Sequence, residues 1–260
     1  MQAKKGRLAL MSLIIAVCGI VFLLSHSPDI TAANEPSVIG AHRGSSVQDT
    51  ENTLEAFKDA VTSPEFTFIE FDIQYTKDKK IVVYHDYTLL RLQKKLRWIS
   101  AMSYDELKET ESFYIPTYEE VMGIIGKSKP INIEIKSQGN EADDRRLVDF
   151  VVKDTAERGV LENVMISSVS PGVVEYVTAE YPDISTGLIY WIHPVSYFPS
   201  EELVEGFYDK VEATGADYVM LHGVNMNNYK MLREKLPSSL KLAFWDFNDK
   251  IYVFDDVLEW

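Results

Sequence analysis

Short apolar runs recur along the chain with longer amphipathic stretches between most of them, and this alternation predicts an α/β fold of β/α units around a parallel sheet. Strands are expected over 38–41, 68–73, 131–135, 164–168, 186–190, 218–221 and 241–245, seven in all. Helices are expected over 53–61, 118–125, 143–158, 171–180, 201–214 and 228–236. A further apolar run at 81–84 follows the second strand after only Thr76-Lys77-Asp78-Lys79-Lys80. A parallel crossover needs roughly a dozen residues or more, so these two segments are expected to form an antiparallel hairpin. If the first strand rises past a barrel rim, the return strand brings His85 back toward Asp72.

The N-terminus departs from this pattern. Residues 8–25 form an apolar run of 18 residues without a charge, about 27 Å of helix at roughly 1.5 Å per residue, enough to span hydrocarbon. Lys4, Lys5 and Arg7 flank its start, and the positive-inside bias then places everything after Ser25 outside the cell. Residues 1–26 are therefore expected to be a transmembrane anchor, 27–37 a linker, and 38–260 the folded domain. The alternative is a cleaved signal at Thr31-Ala32-Ala33 and a secreted protein. Cys18, the only cysteine, lies inside the apolar run, which excludes disulfides and thiol catalysis from the folded domain. Val17 before it and the apolar residues after it do not make a lipoprotein signal.

Composition narrows the partners. The 260 residues, 46% hydrophobic, suit one large barrel or sandwich, or at most two ordinary domains. Formal net charge is −14, and because the first 33 residues contribute +2 (Lys4, Lys5, Arg7 against Asp29), the remainder carries −16. Such a surface excludes nucleic acid as a partner and disfavours broad docking on anionic lipid. An anionic substrate must be held by local cations or a bound metal.

Period-two alternation in Phe68-Ile69-Glu70-Phe71-Asp72-Ile73 puts Glu70 and Asp72 on one face. Two carboxylates side by side on a buried strand repel each other, and a hard cation, Ca²⁺ or Mg²⁺, relieves that repulsion. Ile131-Asn132-Ile133-Glu134-Ile135-Lys136 repeats the arrangement and makes Glu134 the natural third ligand. The first strand runs into Gly40-Ala41-His42-Arg43-Gly44, placing a proton carrier and a phosphate-binding fork where a barrel strand opens. Asn52 reads as a helix cap with Glu55 reaching back. Glu51 before it is a solvated charge or a substrate contact.

Together these pieces resemble the glycerophosphodiester phosphodiesterase family. The marks are His42-Arg43-Gly44, Glu51-Asn52-Thr53-Leu54-Glu55-Ala56-Phe57, Glu70-Phe71-Asp72, Val82-Val83-Tyr84-His85-Asp86, Ile115-Pro116-Thr117-Tyr118-Glu119-Glu120-Val121, Glu134-Ile135-Lys136, and Trp245 with Asn248. The resemblance implies a TIM-type barrel with the hairpin inserted after strand 2, and one divalent cation on Glu70, Asp72 and Glu134. It also implies acid/base histidines at His42 and His85, with substrate contacts from Arg43, Glu51, Lys136 and Trp245. The implied reaction yields glycerol 3-phosphate and an alcohol from a small glycerophosphodiester, the attacking group being water or, as the resemblance favours, the neighbouring glycerol hydroxyl.

The sequence departs from the family at its end. A Gly-Val-Asp-Gly-Ile-Ile-Thr-Asp-like last strand has no counterpart before Trp260. The barrel is therefore expected to lack its eighth strand and leave the first with an exposed edge. Leu89-Leu90-Arg91-Leu92-Gln93-Lys94-Lys95-Leu96 replaces a glycine-containing stretch, Asp246 follows Trp245 where a small hydroxyl residue is common, and His193 and His222 fit no motif, which favours surface or supporting roles. Two other functions stay open: a phospholipase C- or D-like enzyme acting on membrane lipid, and an inactive shortened barrel serving as a binding module. Oligomeric state and head-group preference are not legible.

Overall fold

The computed structural model describes residues 38–190, 201–246 and 250–253. Its strands are β1 (Val38–His42), β2 (Phe68–Tyr75), β3 (Ile81–Val83), β4 (Ile131–Ile135), β5 (Val164–Ser168), β6 (Ser185–Tyr190), β7 (Tyr218–His222), β8 (Lys241–Trp245) and β9 (Lys250–Val253). The seven expected strands all form, within about two residues of the expected bounds. Six parallel pairings run from β1 through β2, β4, β5, β6 and β7 to β8, with helices between most of the strands. As the short connection requires, β3 pairs antiparallel with β2, Ile73 opposite Val83 and Tyr75 opposite Ile81.

The expected open edge does not exist. After Trp245 the chain turns back, and β9 pairs antiparallel with β8 (Trp245 opposite Ile251) and with β1 (Val38 opposite Val253). This closes an eight-stranded barrel, with β3 outside it. A short reversed strand thus fills the eighth position, satisfying the backbone of β1 without a crossover helix. The predicted membrane segment lies outside the described residues; among the described residues no helix is long and apolar enough to cross a membrane.

Helix starts follow local chemistry. Thr117 and Glu120 form a capping box at Tyr118–Ile125, and Ser103 and Glu106 do the same for Tyr104–Thr110, a helix not among those expected. At Leu54–Thr62 the cap is Thr53, whose side chain accepts from the Ala56 N–H, and not Asn52. Val121, Met122 and Ile125 pack in one apolar cluster with Ile69, Phe71 and Ile73, the outward-facing residues of β2.

The other side chains of the strands point into the barrel. At its amino-terminal end Val38, Phe68, Met165, Tyr218, Ala243 and Val253 form an apolar floor. Gly40 is required there, since a Cβ would lie 2.1 Å from the Phe68 ring. With the floor filled, polar and charged inward positions are confined to the carboxyl end, where barrel sites are built. Ile251 is 1% exposed and joins the floor cluster, so Ile251→Ala is expected to cost about 2–4 kcal/mol of stability. Urea unfolding that shifts by less than a few tenths would show that β9 does not close the barrel.

Candidate functional site

Register brings the predicted residues into two adjoining rows. His42 on β1 lies opposite Glu70 on β2, and Glu70 opposite Asn132 on β4. One step further up the barrel, Asp72 lies opposite Glu134 and Glu134 opposite Ser167. Glu70, Asp72 and Glu134 each offer an oxygen within 4.8 Å of the others, and all three are buried. Burial, Asp72 and Glu134 push the Glu70 carboxyl well above its ordinary range. Burial, with Asp72 adding to it against the pull of Lys136, pushes Glu134 up to about 7. Burial also opposes ionisation of Asp72, but His85, Lys136 and Arg43 outweigh it and hold that carboxyl below its usual range.

The cluster is only partly neutralised from within. Lys136 Nζ lies 2.6 Å from Glu134 Oε1 and 3.4 Å from Asp72 Oδ1. Arg43 Nε is 3.5 Å from Asp72 Oδ2, and the Arg43 backbone N–H donates to Glu70 Oε2 at 2.8 Å. Glu70 Oε1 and Asp72 Oδ1 nonetheless accept no hydrogen bond. Buried oxygens without a donor on two of three converging carboxylates fit a hard divalent ion.

The two histidines arrive by different routes. His42 ends β1, and its Nδ1 lies 2.5 Å from the Asp246 carbonyl, so Nδ1 donates and Nε2 carries the lone pair of the neutral ring. Burial and the Arg43 charge hold its pKa well below the usual value. His85 is delivered by the hairpin: the Tyr84 N–H donates to the Asp72 carbonyl at 3.0 Å, and Gln74 Nε2 donates to the carbonyls of Tyr84 (2.7 Å) and Asp86 (2.9 Å). Its Nδ1 is 2.7 Å from Asp86 Oδ1. Burial and Lys136 lower the His85 pKa, while Asp86 works to raise it.

Outside this centre runs a chain of alternating charges. Arg91 Nε donates to Asp86 Oδ2 at 2.7 Å and its Nη1 to Glu51 Oε2 at 2.8 Å, while Arg43 Nη1 donates to Glu51 Oε1 at 3.0 Å. Asn52, held at φ +58°, donates from Nδ2 to Asp72 Oδ2 at 2.8 Å. The Asn52 cap reading is thus corrected: a left-handed backbone, which Asn tolerates better than most residues, turns its amide onto the carboxylate cluster.

These groups surround a cavity of 480 Å³. His42, Arg43, Glu70, His85, Glu134 and Lys136 line one side, and Val169, Ile189, Met220, Trp245 and Ile251 the other. Seven of the nine predicted site residues reach this lining. Asp72 and Glu51 sit behind it, Asp72 under Asn52 and Arg43, and Glu51 clamped between Arg43 and Arg91. Trp245 stands 6.0 Å from the His42 ring centre and 4.8 Å from that of His222, which meets it edge-on. His222 is buried, not superficial, and its Nδ1 accepts from the Val224 N–H at 3.2 Å. Asp246 is buried too and accepts from the Tyr252 hydroxyl at 3.2 Å. His193 and Asn248 lie outside the described residues.

Sequence reasoning missed Asn52, Gln74 and Arg91 as site residues. Gln74 alone carried a signal, sharing the inward face of β2 with Glu70 and Asp72; the others depend on contacts across 20 and 40 positions of chain.

The model of the glycerophosphoryl diester phosphodiesterase family matches residues 42–253. A glycerophosphodiester phosphodiesterase of Bacillus altitudinis is 28% identical over 237 residues, 82% of this chain and 95% of that one. One from Caldanaerobacter subterraneus is 31% identical over 203 residues, 65% and 80% of the two chains. Among solved structures, the glycerophosphodiester phosphodiesterase of Thermotoga maritima superposes with a TM-score of 0.62 at 28% identity, covering 82% of this chain and 87% of its own.

If the carboxylate trio holds a divalent ion, Ca²⁺ or Mg²⁺ at a hundredfold excess over its dissociation constant should stabilise the protein by about 2.7 kcal/mol. Thermal unfolding measures this directly. An equal rise in Glu70→Gln and Glu134→Gln variants would place the ion elsewhere.

Proposed function

This chain belongs to the glycerophosphoryl diester phosphodiesterase family, and we propose that it cleaves small glycerophosphodiesters to glycerol 3-phosphate and an alcohol in the cavity at the carboxyl end of its barrel. The observation that carries this reading is the in-register convergence of Glu70, Asp72 and Glu134 beside two histidines whose Nδ1 atoms are both engaged. Each ring is thereby left with Nε2 as the atom that exchanges a proton.

Glu70, Asp72 and Glu134 would hold one divalent cation, Ca²⁺ or Mg²⁺, which when bound withdraws charge from a phosphate oxygen. Arg43 and Lys136 share the negative charge that develops on the phosphoryl group. The roles of the histidines follow from their Nδ1 partners. A backbone carbonyl fixes His42 as the neutral tautomer, suited to take the proton from the attacking oxygen. A carboxylate supports the imidazolium of His85, suited to protonate the departing alkoxide. Glu51, tied to Arg43 and Arg91, aims the guanidinium of Arg43 toward the substrate. Trp245 walls the alcohol portion.

We further propose that residues 1–26 tether the domain, 38–260, to the outer face of a membrane through the linker 27–37, or that cleavage near Thr31-Ala32-Ala33 releases it. The apolar run with basic residues at its start supports the tether. The binding-module reading loses its main ground, because the barrel is closed.

Release of glycerol 3-phosphate from glycerophosphocholine and glycerophosphoethanolamine, with Ca²⁺, Mg²⁺ or chelator, tests the reaction. His42→Ala and His85→Ala should each lower turnover by about two to four decades with little change in KM. Near-normal turnover in either variant removes that histidine from the chemistry, and no turnover of any glycerophosphodiester by the wild type removes the reading altogether.

A further inference from the structure

Between β3 and the helix Tyr104–Thr110 the chain projects a loop with a closed neck. Thr88 pairs with Trp98, the Leu89 N–H donates to the Arg97 carbonyl at 3.0 Å, and the Ile99 N–H donates to the Tyr87 carbonyl at 3.0 Å. Beneath the neck Leu89 and Ile99 are fully buried in one cluster with Val82, Tyr84 and Met102. The loop thus stands on its own small core, against which Leu92 packs from beyond the neck and beside which Gln93 is buried. Yet Leu90, Leu96 and Trp98 lie out there at 51%, 72% and 56% exposure, with Val169 partly exposed as well. Three large apolar side chains on one projection are a patch that demands a partner.

Its charge says which partner. Arg91, Lys94, Lys95 and Arg97 are interleaved with the apolar residues, and residues 90–98 contain no acid. The rest of the folded domain is strongly acidic, so this is a local reversal of sign and not part of a general surface. Arg91 faces inward to Asp86 and Glu51, but the Lys94 and Arg97 side chains remain outside, exposed like Leu96 beside them. Exposed leucine and tryptophan alternating with cations is the composition that enters a headgroup layer, apolar atoms at the acyl boundary and cations on lipid phosphates. Thr88, Arg91 and Trp98 also line the mouth of the cavity.

We propose that residues 90–98 dock on the anionic surface of a lipid bilayer, seating the cavity mouth against the membrane. The acidity of the whole domain opposes broad adsorption, so contact is restricted to this loop and the orientation is set by it. The proposal does not depend on which phosphodiester the cavity cleaves.

The test uses the full chain in nanodiscs of phosphatidylcholine alone or of an equal mixture with phosphatidylglycerol, read by amide hydrogen exchange. Residues 90–98 should exchange more slowly on the anionic discs, and high salt should reverse the difference. The double substitution Leu96→Ser, Arg97→Glu should remove about tenfold or more of that protection. It should leave the unfolding temperature and the turnover of soluble glycerophosphocholine unchanged, because neither side chain belongs to the site. Lys94→Glu should cause a smaller loss in the same direction. Equal exchange on both discs overturns the proposal. So does protection that arises without phosphatidylglycerol and grows with protein concentration, which would assign the loop to a second copy of the chain.

Discussion

Three carboxylates buried within 4.8 Å of one another are the constraint around which the carboxyl end of this barrel is arranged. An isolated buried carboxylate carries a desolvation penalty of several kcal/mol, and like charges side by side raise it further. The chain answers with four donors from three segments: the Arg43 side chain and backbone N–H after β1, Asn52 before the first helix, and Lys136 after β4. None of these cations is left to itself. Arg43 is held by Glu51, Glu51 by Arg91, and Arg91 by Asp86, which also holds His85. The positions of the two histidines and of the Arg43 guanidinium are therefore set by one connected electrostatic network.

Closure of the barrel serves this network as well as stability. His42 is oriented by the carbonyl of Asp246, a residue between β8 and β9, and Asp246 is in turn buried against Tyr252 of β9. Without a strand returning along β1, that carbonyl would have no fixed place above the imidazole. The antiparallel return needs only the few residues between Trp245 and Lys250 to do what a parallel strand does after a crossover helix.

Much of this was legible because it is local. The strands Ile131–Ile135, Val164–Ser168 and Lys241–Trp245 are short apolar runs bounded by polar residues, and alternation within β2 and β4 was enough to align the acids. The same reasoning that placed β3, a connection too short for a crossover, applied equally to Lys250–Val253. That strand is as short as others that are legible, but the family's last strand is expected to be parallel and to follow a helix, a pattern that a reversed strand soon after Trp245 does not match. Asn52 misled for a related reason: an Asn before Thr-Leu-Glu has the local signature of a cap, while the partner its left-handed backbone turns it toward, Asp72, lies 20 residues away. Arg91 looked like a loop charge because its partners, Glu51 and Asp86, come together only when the hairpin folds.

The distribution of polarity around the barrel explains how a reversed strand is tolerated in this position. The charged residues that the barrel wall itself presents to the cavity, Arg43, Glu70, Glu134 and Lys136, lie on or just after β1, β2 or β4, consecutive staves, and His85, Asp86 and Arg91 are added from the segment after β3. From β5 to β9 the cavity meets Val169, Ile189, Met220, Trp245 and Ile251, which offer shape and apolar surface. Side chains of a strand alternate in and out whichever way the strand runs, so β9 can present Ile251 and Val253 inward from either direction. A reversal in β2 or β4 would change the order in which the acids rise along the barrel and dissolve the rows that pair Asp72 with Glu134. The ionic half of the wall requires parallel strands in register; the apolar half requires only that the wall be closed.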